Sequence, residues 1–289
     1  MSSTRIFDAE HYESLNASRA AVVRRFLSEM KGPLNLRSAI DVGCGLGYFS
    51  ELLRSLGLDM TAVDGRRENV EEAARRNPEM RFHTMSAEDP SLPTLGEFDL
   101  VFCFGLLYHL ENPFLAIRHL KAMTRRLLLV EAVILPGEAP LMNLVDEGSS
   151  EDQGLNHIAF YPTESCLVKM FYRSGFRFAY RFAPLPDHPG YRWANGLPRV
   201  RTMLAASFEP ISSSLLEGVR EPVTSIQPSD AASVAGSMAW RSARTAIRTK
   251  FWHPLLNASR SIRHAIGLDH RVLERFHREP AARRHPFDQ

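Results

Sequence analysis

Apolar residues along this chain follow two alternating periods. Short, nearly continuous apolar runs stand at Ser38–Val42, Leu58–Val63, Met80–Met85, Phe98–Phe104 and Leu127–Ile134, separated by helix-like patterns at 46–56, 66–76 and 112–124. Runs of this length suit strands covered on both faces, and their alternation with helices predicts βαβ units and a parallel sheet. An opening helix is expected over 8–31, where Leu15, Val22, Val23, Phe26 and Leu27 fall near helical spacing and Gly32-Pro33 stops it. Another is expected at 162–174, opened by Pro162 and Glu164, with Leu167, Met170 and Phe171 on one face and Gly175 at its end. Two further strands, 176–182 and 199–208, form a hairpin-like pair with a long connection and bring the expected sheet to seven. Residues 135–161 are too many for a simple connection, so they predict a lid or acceptor wall. Residues 209–239 are rich in Ser, Pro, Ala and Val without an aromatic and predict a linker, with helical patterns resuming at 239–251 and 259–279. The expected organisation is an N-terminal helical cap (1–37), an α/β domain (38–208) carrying the insertion, and a linker with a basic helical extension (209–289).

With 289 residues, 44% of them hydrophobic, the chain can bury a substantial core. Charges stand where a signal peptide would need its apolar region, and no run of about 18 apolar residues occurs. The expectation is a soluble protein of the cytoplasm. Cys44, Cys103 and Cys166 are too few and too far apart for a zinc cluster or a disulfide framework, so no metal is expected. The net charge of +2 hides an uneven distribution: 127–168 holds seven acids and no Lys or Arg, whereas from Arg241 onward eleven Lys and Arg face four acids. Trp240, Ile247 and Phe251 share one helical face, Arg241, Arg244 and Arg248 another, with Trp252 beside them. A basic amphipathic helix of this kind suits an anionic membrane, a nucleic-acid backbone or docking on its own domain, where the acidic insertion offers a partner.

The chemistry concentrates at DVGCGLGYFS, residues 41–50, where Gly43, Gly45 and Gly47 follow the first strand. Glycines there let a turn tighten and let a ligand approach the backbone. A dinucleotide fingerprint would place its third glycine at 48, where this chain has Tyr48. Together with the acid in TAVDGRR, the strand end HTMSAEDPSLP and the segment FDLVFCFGLLYHLENP, this stretch resembles the class I S-adenosylmethionine-dependent methyltransferases over about 38–208. The resemblance implies a doubly wound, seven-stranded, mostly parallel sheet and S-adenosylmethionine as cofactor. It places the methionyl part against Gly43, Cys44, Gly45 and Gly47. It assigns Asp41 to the ammonium through water and Asp64 to both ribose hydroxyls. At the third strand end Ser86 stands where many members have an Asp for the adenine amino group. Ala87 offers a backbone N–H there, and Ser86 and Glu88 remain alternatives for the amino group.

Ligands of doubly wound sheets bind beyond the carboxyl ends of the strands, near the reversal of strand order. Cys103, Phe104 and Gly105 end the fourth strand, so the acceptor is expected there, with Phe104 also against the cofactor. Tyr108 and His109 follow directly. An imidazole titrates near neutral pH, so His109 is a candidate base, with bracing of the loop as its alternative role. In the insertion, Asp146, Glu147, Asn156, His157 and Tyr161 are the polar candidates, His157 being a second candidate base. Tyr12 and Arg19 of the opening helix are candidates to close over the cofactor, Arg19 toward its carboxylate. The leading expectation is methyl transfer to a small or medium-sized organic acceptor, at oxygen. FGLLYHLENP is also similar to the loop of the tRNA wobble-uridine-modifying branch, which keeps nucleic acid open as a partner. A non-catalytic membrane- or partner-binding protein that keeps the fold is the third reading.

Overall fold

The structure is a computed structural model and describes residues 5–192 and 200–223. After α1 (Glu10–Met30), the chain alternates β1 (Ser38–Val42), α2 (Tyr48–Ser55), β2 (Asp59–Asp64), α3 (Arg67–Arg76), β3 (Arg81–Thr84), β4 (Phe98–Phe104), α4 (Pro113–Met123) and β5 (Thr124–Ile134). Then come β6 (Met142–Asp146), β7 (Ile158–Pro162), α5 (Glu164–Ser174), β8 (Phe178–Phe182), β9 (Val200–Ser207) and β10 (Leu216–Val219). Thr163 caps α5 by accepting the Cys166 N–H, and Gly175 closes it in the left-handed conformation at φ 106°.

The main sheet runs β10-β8-β9-β5-β4-β1-β2-β3. The pairs among β1–β5 are parallel; β9 is antiparallel to both β5 and β8. β1 lies between β2 and β4, so the order reverses there, and the carboxyl ends of these three strands border one crevice. The expected doubly wound sheet is present, with eight strands in place of seven. The additional strand is β10, antiparallel to β8 beyond residue 208. It is an edge strand that buries little of its own surface, so its apolar signal is weak; Ile211 and Leu215 just before it are buried, and the Ile211 N–H donates to Tyr180 Oη at 2.7 Å.

Period-two alternation decides what each face receives. Leu128, Val130 and Ala132 of β5 join the layer containing Ile117, Leu120, Leu167 and Phe171 of α4 and α5. Leu127 and Leu129 join the layer containing Val23, Phe26 and Leu27 of α1 and Leu53 of α2. Continuing that alternation, Glu131 follows Leu127 and Leu129 onto the α1 side. The insertion is no plain loop: β6 and β7 pair antiparallel from Met142↔Pro162 to Asp146↔Ile158. Among the described residues no helix is long and apolar enough to cross a membrane. The tail features built on Trp240, Phe251 and their arginines lie outside the described residues.

Candidate active site

At the crevice lies a cavity of about 960 Å³, lined by the glycine turn, the ends of β2 and β4, the segment after β3, α1 and the insertion. The turn is tied down first. The N–H groups of Gly43 and Cys44 both donate to the Val63 carbonyl, at 2.9 and 3.0 Å. Gly43, Gly45 and Gly47 have φ of 82°, 53° and 87°, a region that side chains with a Cβ rarely adopt. A Cβ at Gly43 would meet Leu106 at 2.9 Å, whereas one at Gly45 would meet only Phe7, at 3.8 Å, and otherwise project into open space. That is a backbone cradle for a close ligand.

Asp64 ends β2 beside this turn. Its Oδ2 accepts the Gly45 N–H at 2.9 Å, and its Oδ1 accepts the Arg66 N–H at 2.9 Å and Asn69 Nδ2 at 3.2 Å. A carboxylate offers about four lone-pair sites, so acceptor capacity remains on Oδ2 toward the cavity. Burial raises the Asp64 pKa, and the donors from Arg66, Gly45 and Asn69 offset only part of that rise. Asp41 is placed differently. It is 2% exposed, lies behind the cavity wall and accepts Ser50 Oγ at 2.6 Å. Burial, reinforced by the Asp64 charge, pushes it up to about 7 against the Ser50 hydrogen bond.

Ser86, Ala87 and Glu88 all line the cavity. The Ser86 hydroxyl accepts the Glu88 N–H at 3.1 Å, which braces its own loop, and Glu88 Oε1 accepts the Asn112 N–H at 2.6 Å, which ties that loop to the start of α4. Cys44, Gly47 and Phe104 complete the turn side of the wall, Phe104 stacked on Phe102 at 3.9 Å between centroids. Tyr48, at the position that excludes a dinucleotide fingerprint, opens α2 and is 45% exposed.

Tyr108 and His109 lie in the short turn after β4 and both face the cavity. His109 Nδ1 is 2.8 Å from both carboxylate oxygens of Glu147, with the His109 side chain 13% and that of Glu147 2% exposed. Burial lowers the His109 pKa; Glu147, and at longer range Asp152, pull it back up, and Arg201 pushes with burial. Tyr108 Oη accepts Arg201 Nη1 at 3.2 Å. Behind it, Glu131, fully buried, accepts Arg19 Nη2 at 2.9 Å, Arg201 Nη1 at 3.0 Å and Tyr191 Oη at 3.2 Å. Two guanidinium groups thus share one carboxylate, which gives this three-residue cluster a formal excess of one positive charge. Arg19 also donates to Asn16 and Tyr191, so its guanidinium is anchored within the protein while the residue still lines the cavity.

The insertion reaches three cavity walls. Tyr12 Oη of α1 donates to Asp152 at 2.6 Å, Arg66 Nη2 after β2 donates to the Gln153 carbonyl at 2.9 Å, and Asn156 Nδ2 donates to Glu111 at 2.8 Å. Of the polar candidates predicted there, Asn156 lines the cavity and Glu147 binds His109. Tyr161 stands behind Tyr108, ring centroids 5.9 Å apart. Asp146 and His157 do not join the site. His157 is exposed at the hairpin turn with φ 57°, its Nδ1 at 3.0 Å from the Gly148 carbonyl.

Sequence reasoning missed Glu131, Arg201, Asp152 and Gly154. The first had a signal: a single acid inside LLLVEAVI breaks an otherwise apolar strand.

Residues 40–127 match a family model described as a methyltransferase domain. The tRNA U34 carboxymethyltransferase of Tolumonas auensis is 28% identical over 154 residues, 50% of this chain and 46% of its own length. The ubiquinone biosynthesis O-methyltransferase of Bordetella avium is 27% identical over 104 residues, 35% of this chain and 43% of its own. The chain therefore spans about half the length of the curated relatives it matches. Among solved structures, the N-terminal domain of EvdMO1 with SAH bound superimposes with a TM-score of 0.54 at 19% identity, over 66% of this chain and 80% of that one. It shares the fold.

Proposed function

We propose, from the premise that this chain carries a class I S-adenosylmethionine-dependent methyltransferase domain, that it transfers the methyl group of that cofactor to an oxygen of a small or medium-sized organic acceptor. The observation that carries the reading is continuity: the glycine cradle, Asp64, Tyr108 and His109 line one cavity. S-adenosylmethionine fits its residues. The open side of Gly45 admits the methionyl part, Asp64 has acceptor capacity left for a ribose hydroxyl, and Ser86 to Glu88 border the adenine end. The cofactor supplies an electrophilic methyl on sulfur. The chain's residues must hold an acceptor in line with it, and good orientation alone recovers on the order of 7 to 11 kcal/mol of barrier. His109, kept neutral by burial, is suited to take the acceptor's proton through Nε2.

Titration calorimetry should give micromolar binding of S-adenosylmethionine and of S-adenosylhomocysteine, and none of NAD. Binding of NAD alone would overturn the reading. With radiolabelled S-adenosylmethionine and a panel of hydroxylated acceptors, His109→Gln should lower turnover about 100-fold while cofactor affinity persists. Undiminished turnover would remove His109 as the base.

A second reading is favoured by the formal positive excess of the Arg19–Glu131–Arg201 cluster. The relatives named tRNA U34 carboxymethyltransferase move a group that carries a carboxylate at neutral pH. Arg201, 19% exposed at the cavity wall beside Tyr108, is suited to an anionic group next to the reacting carbon. Transfer of label to bulk tRNA from an S-adenosylmethionine analogue whose sulfonium carries a labelled carboxymethyl in place of the methyl, with no transfer from S-adenosylmethionine to the small-acceptor panel, would favour this reading over the first.

A further inference from the structure

We propose that Glu147 is a positioning residue for His109, so that the β6–β7 insertion supplies the second half of an imidazole–carboxylate pair. The base is then complete only when the insertion is seated. The inference rests on the reading of His109 as the acceptor's base.

The pair comes from two elements that meet nowhere near each other in sequence. His109 lies in the turn after β4, Glu147 directly after β6, and their 2.8 Å contact spans 38 residues. Glu147 is held from two sides. Its own N–H donates to the His157 carbonyl at 2.8 Å, which fixes it at the closing end of the hairpin, and its Oε2 accepts the Gly154 N–H at 2.7 Å. Gly154 shows how tightly this is built. A Cβ there would come 2.5 Å from the His109 carbonyl, 3.0 Å from Glu147 Oε2 and 3.1 Å from the Ile158 carbonyl. Only a residue without a side chain lets the insertion close onto the His109 turn. The same loop is strapped to α1 through Tyr12–Asp152 and to the β2 end through Arg66.

The chemical consequence follows from the acceptor nature of a carboxylate. Glu147 accepts a hydrogen bond from the Nδ1–H, which fixes the imidazole with its lone pair on Nε2, the nitrogen left for the cavity. When the acceptor hydroxyl gives its proton to Nε2, its oxygen pair forms the bond to the methyl carbon. The carbon–sulfur bond breaks with its pair returning to sulfur, leaving neutral S-adenosylhomocysteine and an imidazolium. That imidazolium faces Glu147 and Asp152 from the insertion, Arg201 from β9 and the Tyr108 ring at 4.2 Å from its own turn. Glu147 is the contact that stabilises it directly.

Nitrogen-15 spectra of the histidine rings, in protein saturated with S-adenosylhomocysteine, test the pair without an acceptor. His109→Gln assigns the His109 signals. The wild type should show the Nδ1–H tautomer at neutral pH. Glu147→Gln keeps the shape and removes the charge, so the His109 midpoint should move to lower pH. Glu147→Ala removes the acceptor, so the Nδ1–H preference should disappear. An Nε2–H tautomer in the wild type overturns the proposal without reference to any variant, as does a midpoint that Glu147→Gln leaves in place. The expected spectra combined with full turnover by His109→Gln would leave the pair standing and sink the reading of His109 as base.

Discussion

Asp64→Ala should weaken S-adenosylmethionine binding by about 2 to 4 kcal/mol, roughly 30- to 700-fold in Kd by titration calorimetry. Ribose hydroxyls donating to a carboxylate form charge-assisted bonds worth about 1.5 to 3 kcal/mol each, and the free acceptor capacity on Oδ2 admits one without rearrangement. A second requires Asn69 to give way on Oδ1. The substitution also releases the Gly45 and Arg66 N–H groups, so the apo protein should lose some stability, below about 2 kcal/mol at neutral pH. The sign of the Asp64 shift supports a small loss. Its folded pKa is raised, so its favourable contribution is complete below the unfolded value and fades as pH rises through the folded one. An unchanged Kd, measured well below the melting temperature, would remove Asp64 from the cofactor site.

The fold was legible wherever the local pattern and the final environment agreed. β4 falls at Phe98–Phe104 as its uninterrupted apolar run predicts, and β1 likewise at Ser38–Val42, because central strands are covered on both sides and need apolar residues throughout. The connections at 46–56 and 66–76 formed helices within two residues of their expected ends. β10 was not legible, because an edge strand with half its surface in water has little apolar signal to offer. β6 and β7 were hidden for a related reason. Their two-stranded sheet stands apart from the main one, and Met142 and Leu144 remain 41% and 55% exposed.

At the site, what was legible was local and what was missed was long-range. Gly43, Gly45, Gly47 and Asp64 can be read because a turn's conformation and a strand's end are properties of a few adjacent residues. Pairings such as His109 with Glu147 or Tyr12 with Asp152 depend on where an insertion lands, and residues 38 or 140 positions apart carry no mutual signal in one sequence. Arg19 is the intermediate case. It sits on the stripe of Leu15, Val23, Phe26 and Met30, all buried, so a charged residue there announces a buried partner without naming it. Read from sequence, Arg19 had only the ligand as a partner; the structure adds Glu131, a partner within the protein that Arg19 shares with Arg201.

Glu131→Gln should be the most destabilising of these substitutions, costing about 3 to 5 kcal/mol at pH 7 because it leaves two guanidinium groups facing a neutral amide in a buried wall. For a domain of this size that corresponds to a melting temperature lower by roughly 6 to 20 °C. The pH dependence identifies the cause. Burial alone would raise the Glu131 pKa, but Arg19 and Arg201 outweigh it and hold the folded value below the ordinary one. A depressed carboxylate contributes stability that is present above its unfolded pKa and is lost as pH falls through the folded one. The gap in melting temperature between wild type and Glu131→Gln should therefore be full at neutral pH and shrink on acidification below about 4. A gap that does not vary with pH would mean that the loss comes from packing or from Tyr191 rather than from the charge. The same variant bears on the site. Glu131 holds the Arg201 guanidinium whose Nη1 also donates to Tyr108, and the Tyr108 ring lies 4.2 Å from that of His109. Residual protein that folds should thus show an altered His109 midpoint in the same ring spectra, since Arg201 is among the charges that hold it down.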